Sequence, residues 1–214
     1  MTTRLVIGLD EANARALATA IGGDLLVQSV VDGSSADWRW AETLEAWRDL
    51  ANDGPNVEQI VVALFPEVGE PAALETIGFA GWIEHCEVAL ARWIAALGVA
   101  QRRCADGGSI TAIVDRAAPL DCAGRSTETA VSDAVEALVR SLGRSEGSRG
   151  VRVNLVTTPA RLTPLPVVDP QPPLASFPGS IEDQILATCR MLLSDDASAL
   201  TSTVIHVDGG RSWR

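Results

Sequence analysis

Asp115, Glu128 and Ser132 are the residues of this chain whose types and spacing could do chemistry. Asp115 closes the apolar run SITAIV, and Glu128 follows thirteen residues later at the head of an amphipathic stretch. Two carboxylates on one cleft can serve as general acid and general base once their surroundings push their pKa values apart. Ser132 stands one helical turn beyond Glu128, so the two would share a face. A serine nucleophile needs a base within hydrogen-bond reach, and both histidines, His85 and His206, lie far from it in sequence. Cys86, Cys104, Cys122 and Cys189 are scattered without a CxxC pair. His85 and Cys86 are neighbours that diverge on a helix. No metal centre is therefore expected, and reduced thiols in the cytoplasm are the plain reading.

These residues need a scaffold. With 214 residues, 47% of them hydrophobic and 21% charged, the chain suits one globular domain over residues 1–214. Its formal charge is 17 − 28 = −11, without a basic run. A nucleic-acid surface or an anionic membrane leaflet would repel it. No apolar run approaches the ~18 residues of a membrane span. The start, MTTRLVIGLDEANARAL, lacks the apolar core of a signal peptide.

Apolar runs predict strands at Arg4–Leu9, Leu25–Val31, Val57–Phe65, Ser109–Val114, Val151–Val156 and Thr203–Val207. Helical spacing predicts helices at Ala12–Ile21, Trp38–Leu50, Gly81–Gly98, Thr127–Leu142 and Ile181–Leu193, the first with Asp10 as its N-cap. Cys104–Gly108 reads as a turn, and the proline-rich Leu162–Pro178 as an extended loop. The six tryptophans read as core or interface residues, with an apolar pocket lining as the alternative. Alternating strands and helices predict an α/β fold, a Rossmann-like doubly wound and mostly parallel sheet with helices on both faces. Its N-terminal dinucleotide-binding half is truncated, with one strand and helix too few between residues 10 and 57. Gly8 is followed by no glycine until Gly22, so the loop lacks the glycines that let backbone amides reach a pyrophosphate. Asp10 and Glu11 at the helix entrance would repel a diphosphate by roughly 2–3 kcal/mol per charge pair at ~6 Å and an effective dielectric of ~20.

Three blocks carry a family resemblance: Gly107–Val114 (GGSITAIV), Arg140–Val156 (RSLGRSEGSRGVRVNLV) and Glu182–Gly210 (EDQILATCRMLLSDDASALTSTVIHVDGG). In order and spacing, across roughly Val57 to Arg214, they resemble the classical short-chain dehydrogenase/reductase family. The resemblance places the family's catalytic serine at Asp115, its tyrosine at Glu128 and its lysine at Ser132. It places the proton-relay asparagine at Ala89, the Asn-Asn-Ala-Gly at Val62–Phe65 and the nicotinamide-packing Pro-Gly at Thr158-Pro159. The chain has no tyrosine at all, so no shift of alignment restores the family's acid.

The resemblance thus implies a degenerate member, a pseudoenzyme without cofactor. In the family, helices equivalent to Gly81–Gly98 and Thr127–Leu142 build a four-helix bundle between subunits. Leu90, Trp93, Leu97, Val131, Val135, Leu138 and Leu142 are the interface candidates on that basis. The implied role is a non-catalytic subunit that joins an active family member in a hetero-oligomeric NAD(P)-dependent oxidoreductase. Two alternatives stay open. One is a homo-oligomeric small-molecule binding or sensor protein using the former substrate cleft; the other is a divergent non-redox enzyme using Asp115 and Glu128.

Overall fold

Successive apolar residues of each central strand point to opposite faces of the sheet, so each strand feeds two cores at once. The structure, a computed structural model, describes residues 2–28, 39–164 and 174–212. Strands β1 (Arg4–Gly8), β2 (Asp24–Val27), β3 (Val57–Ala63), β4 (Cys104–Asp115), β5 (Arg152–Thr158) and β6 (Val204–His206) form one sheet. Their order is β2-β1-β3-β4-β5-β6 and every pairing is parallel. Helices α2 (Arg39–Asn52), α4 (Ala89–Arg103) and α5 (Ser126–Ser145) cover one face, where Ile60, Val62, Ile110, Ala112 and Leu155 point. Helices α1 (Ala12–Ile21) and α6 (Ile181–Leu193) cover the other, over Val6, Val61, Ile113 and Val156. This is the doubly wound α/β architecture expected from the alternating runs.

Between β1 and β3 the described residues contain only α1, β2 and α2, which matches the shortened N-terminal half. The β1–α1 junction is tight: a Cβ on Gly8 would lie 2.8 Å from the Cβ of Ala14 and 3.1 Å from the carbonyl oxygen of Ala63. Glycine is needed there for strand–helix packing. The end of the Leu25–Val31 run, Asp32–Ser34, Trp38, Trp213 and residues 165–173 of the proline-rich loop lie outside the described residues.

Several expectations are corrected. Cys104–Gly108 is the bulged start of β4 rather than a turn: the β3–β4 register shifts between Val57 and Gln59, and Gly107 takes φ 77°. Glycine tolerates that left-handed geometry, and its presence makes a bulge read as a turn. The Gly81–Gly98 helix is composite. A short α3 (Phe79–Trp82) passes through a π-helical segment, Ile83–Val88, into α4.

The interface candidates divide by burial. Trp93, Leu97, Val131 and Val135 are buried in this chain's own core, so their side chains are not presented to a partner. A stripe on a sheet-flanking helix covers the sheet first. Leu90, Leu138 and Leu142 are half-buried, and Ile94 is 50% exposed. Trp40 and Trp47 are core residues like Trp93, while Trp82 is half-buried. Cys86, Cys104 and Cys189 are buried free thiols; burial pushes Cys104 up to about 11 and Cys189 up to about 12, which keeps them protonated and inert.

Candidate functional site

The strand order reverses direction between β1 and β3, and an open α/β sheet presents its ligand crevice outside the strand ends at such a switch point. Here that crevice opens onto the N-terminus of α1, whose first amides would be the natural anion donors. They are already occupied. Glu11, in extended backbone at φ −143°, is the N-cap, and its carboxylate accepts from the amides of Asn13 and Ala14. The Asn13 side-chain amide donates to the same carboxylate at 2.8 Å. Asp10, expected as the cap, instead pairs with Arg15. Extended Glu11 reaches back over the turn, whereas Asp10 lies one residue too early. The chain's own negative charge sits where a pyrophosphate would be held, so these residues do not fit a dinucleotide. Replacing Glu11 with Ala should remove a cap worth about 1 kcal/mol, read as a lower urea midpoint at unchanged slope.

One strand further on, the end of β4 carries Asp115, 8% exposed. Arg161, just beyond β5, donates to Asp115 Oδ2 at 2.7 Å, donates to the Pro66 carbonyl, and lies 5.2 Å over the Phe65 ring. This arginine ties the ends of β3, β4 and β5 together. Asp115 Oδ1 is buried and has no hydrogen-bond partner. Burial raises the Asp115 pKa first; Arg161 opposes it, the Glu11 and Glu128 charges reinforce it, and the outcome is about 6. An acid poised there could exchange a proton near neutrality.

Glu128 lies in the first turn of α5, held by Arg125 at 3.0 Å and by the Thr127 hydroxyl at 2.9 Å. Arg125 also donates to the Gly69 carbonyl, so it pins the 66–70 loop to the head of α5. Asp115, Glu128 and Ala89 together line a recess of about 60 Å³, with Leu64, Trp93 and Leu162 among its apolar walls. The recess is continuous with a groove of about 530 Å³, sharing Pro66, Glu67, Val68, His85, Ala89 and Glu128 with it. Ala89 stands at the end of the π-helical segment and brings no polar group.

Ser132 does not join them. It is fully buried, and its hydroxyl donates to the Thr129 carbonyl of its own helix at 2.9 Å. Back-bonding of this kind satisfies a helical serine internally. His206 is likewise engaged elsewhere, 2.8 Å from the Thr157 hydroxyl. The described residues contain no group of three or more potential metal ligands, and none of their helices is long and apolar enough to cross a membrane.

Sequence reasoning missed Arg161, Arg125 and Arg92 and the carboxylates Glu67, Glu70 and Glu84 that border the groove. Arg161, Glu67 and Glu70 follow strand ends and Arg125 precedes α5, so position was their one available signal, whereas Glu84 and Arg92 lie within the composite helix. The family asparagine and glycine in the second motif block are present and structural: Asn154 donates to the Leu200 carbonyl at 2.9 Å and accepts from the Thr203 amide at 3.2 Å. Gly150 closes the preceding helical turn at φ 69°.

Comparison with known proteins agrees with this architecture. A family model described as enoyl-(acyl carrier protein) reductase matches residues 8–212. No curated protein matches the chain. A double mutant of a Serratia marcescens short-chain dehydrogenase/reductase superposes with a TM-score of 0.66 at 17% identity, covering 99% of this chain and 97% of that one. An enoyl-(acyl carrier protein) reductase from Anaplasma phagocytophilum, solved with NAD, gives 0.62 at 18% identity, covering 98% and 91%. A further small-chain dehydrogenase gives 0.60 at 16% identity, covering 98% of both chains. At these identities the neighbours speak for the fold, and the family match over nearly the whole length adds descent: this chain belongs to the short-chain dehydrogenase/reductase family.

Proposed function

We propose that this chain is a non-catalytic member of the family, binding no dinucleotide itself and assembling with an active member into a hetero-oligomeric oxidoreductase. The observation that carries the reading is Glu11, whose carboxylate caps the helix amides that a pyrophosphate would need. Three further features support it. Glu128 and Ser132 stand where tyrosine and lysine are expected, and Ser132 faces its own backbone. The chain contains no tyrosine. Leu90, Ile94, Leu138 and Leu142 leave apolar surface on α4 and α5 that the core does not consume. The partner would supply NAD(P) and the proton donor. Its substrate class is proposed to be an acyl thioester, because the matching family model and the Anaplasma neighbour are both described as enoyl-(acyl carrier protein) reductases.

The test is assembly. The chain is co-expressed with an active family member from the same genome, and mass and thermal midpoint are compared with the chain made alone. A mixed oligomer with a raised midpoint is the expected result. A stable homo-oligomer that ignores every active family member would overturn the assembly reading and favour the homo-oligomeric binding protein.

A further inference from the structure

At the end of the sheet away from Asp115, where β1 begins and α1 and α6 finish, two arginines line a groove that no carboxylate lines. The groove holds about 250 Å³; Arg4, Gln59, Arg190 and Ser194 supply its polar wall, Ile21 and Leu193 its apolar one. Arg4 donates from Nε to Gln59 Oε1 at 2.7 Å and from Nη1 to the Ile21 carbonyl at 2.7 Å. Gln59 is itself fixed, donating to the Leu193 carbonyl at 2.6 Å. Arg190 donates from Nη2 to the Ala20 carbonyl at 2.9 Å. The two guanidinium groups thus dock on consecutive carbonyls at the C-terminus of α1, where helical carbonyls need donors. Capping accounts for those N–H groups alone. A guanidinium carries five N–H donors, and no other hydrogen bond within the described residues uses the remainder. Neither arginine is ion-paired among the described residues, although the chain carries 28 Asp and Glu and sets Arg15, Arg116, Arg125, Arg149, Arg161 and Arg211 against carboxylates. The acids nearest in sequence do not line the groove: Glu58 accepts from the Thr3 amide at 2.9 Å, and Asp195 and Asp196 are exposed in the turn after α6.

We propose that this groove binds the phosphate end of a small phosphate monoester, its oxygens shared by the Arg4 and Arg190 guanidinium groups and its organic body lying along Ile21 and Leu193. Two planar forks from different elements, β1 and α6, suit an anion with three terminal oxygens and a charge of about −1.5 to −2 at pH 7. A carboxylate offers two oxygens and a single charge, enough to fill one fork. The helix C-termini oppose an anion with partial negative charge, but the Ala20 and Ile21 carbonyls that carry part of it already accept from these arginines. At about 10–15 Å³ per water-sized atom, a groove of about 250 Å³ takes roughly 17–25 non-hydrogen atoms, which leaves room for a body beyond the phosphate. The groove lies at the opposite end of α1 from Glu11, so the assignment depends neither on the dinucleotide site nor on assembly with an active subunit.

The experiment titrates the full chain with phenyl phosphate, inorganic phosphate, benzoate and phenol by calorimetry at low salt. Phenyl phosphate is expected to saturate one-to-one with a Kd on the order of 1 mM or tighter, within the ceiling for its size, and to raise the thermal midpoint. Inorganic phosphate and benzoate should bind about fivefold more weakly or worse, lacking the body or the second charge, and phenol not at all. Arg190→Gln should weaken phenyl phosphate about tenfold or more with circular dichroism unchanged, because Arg190 is exposed and its loss leaves the core intact. Arg140→Gln removes an exposed arginine on α5 and should leave the affinity unchanged. Equal binding of any of the other three probes, equal effects of the two substitutions, or no saturable heat from phenyl phosphate with the folded chain would each overturn the proposal.

Discussion

Asp121→Ala is expected to lower the free energy of unfolding by about 3–5 kcal/mol, the usual cost of removing one partner from a buried ion pair. Arg211 donates to Asp121 through Nε at 2.7 Å and Nη2 at 2.9 Å, a bidentate fork. Their side chains are 2% and 5% exposed. Asp121 holds the Arg211 pKa above its ordinary value, and a guanidinium stays charged at any working pH, so deleting Asp121 leaves that charge stranded. The pair joins the loop between β4 and α5 to the turn after β6, where Asp208 accepts from the Gly210 amide at 2.9 Å and the Ser212 amide at 2.8 Å. Arg211 also lies 6.0 Å over the Phe177 ring. Urea unfolding measures the loss, and the double variant Asp121→Ala/Arg211→Met should recover most of it. Recovery is expected because the penalty is the stranded charge rather than the missing contact.

Asp115→Asn should act in the opposite sense, with a pH signature. The Asp115 pKa rises from 3.8 to about 6 in the folded chain, so the folded state holds this proton more tightly than the unfolded state does. Folding is then unpenalised below pH ~4, loses stability as pH climbs from ~4 through ~6, and carries the full cost above that. The displacement corresponds to about 3 kcal/mol at pH 7. Asparagine cannot ionise, so the stability of Asp115→Asn relative to the parent should grow between pH 4 and pH 7. Arg161 keeps the Pro66 carbonyl and the Phe65 ring in the variant, which limits the cost of losing Asp115 as a partner. Thermal midpoints of both proteins across that range provide the check. A difference that stays flat would mean the carboxyl titrates normally.

Legibility in the sequence followed the physics of each signal. Buried parallel strands are continuous apolar runs, so β1, β3, β4 and β5 could be read directly and the order of elements followed. The bulged start of β4 could not, because Gly107 and Gly108 carry the composition of a turn. Nor could the π-helical Ile83–Val88, since one extra residue in a helical ladder leaves no compositional mark. Periodicity also shows which face of a helix is apolar without showing what covers it. That is why Trp93, Leu97, Val131 and Val135 read as interface residues yet pack on their own sheet.

At the site, the family resemblance set Asp115 and Glu128 on one cleft, and both line the recess because each sits at a fixed end of an element. Ser132 shares a helical face with Glu128 by spacing, but its short hydroxyl bonds to the backbone instead. Arg161 lies in the loop beyond β5, where periodicity says nothing about side-chain direction. The acidic entrance to α1 was legible as a charge but misassigned by one residue, from Glu11 to Asp10. Cap identity depends on backbone angles that the residue types leave open.

A helix entrance capped by the chain's own Glu11 should hold no dinucleotide. The most direct measurement is a calorimetric titration of the purified chain with NADH and with NADPH. No saturable heat is expected up to millimolar dinucleotide, and thermal midpoints should be unchanged in its presence. Stoichiometric binding at micromolar concentration would contradict it, because α1 would then be holding a diphosphate where Glu11 now caps its amides.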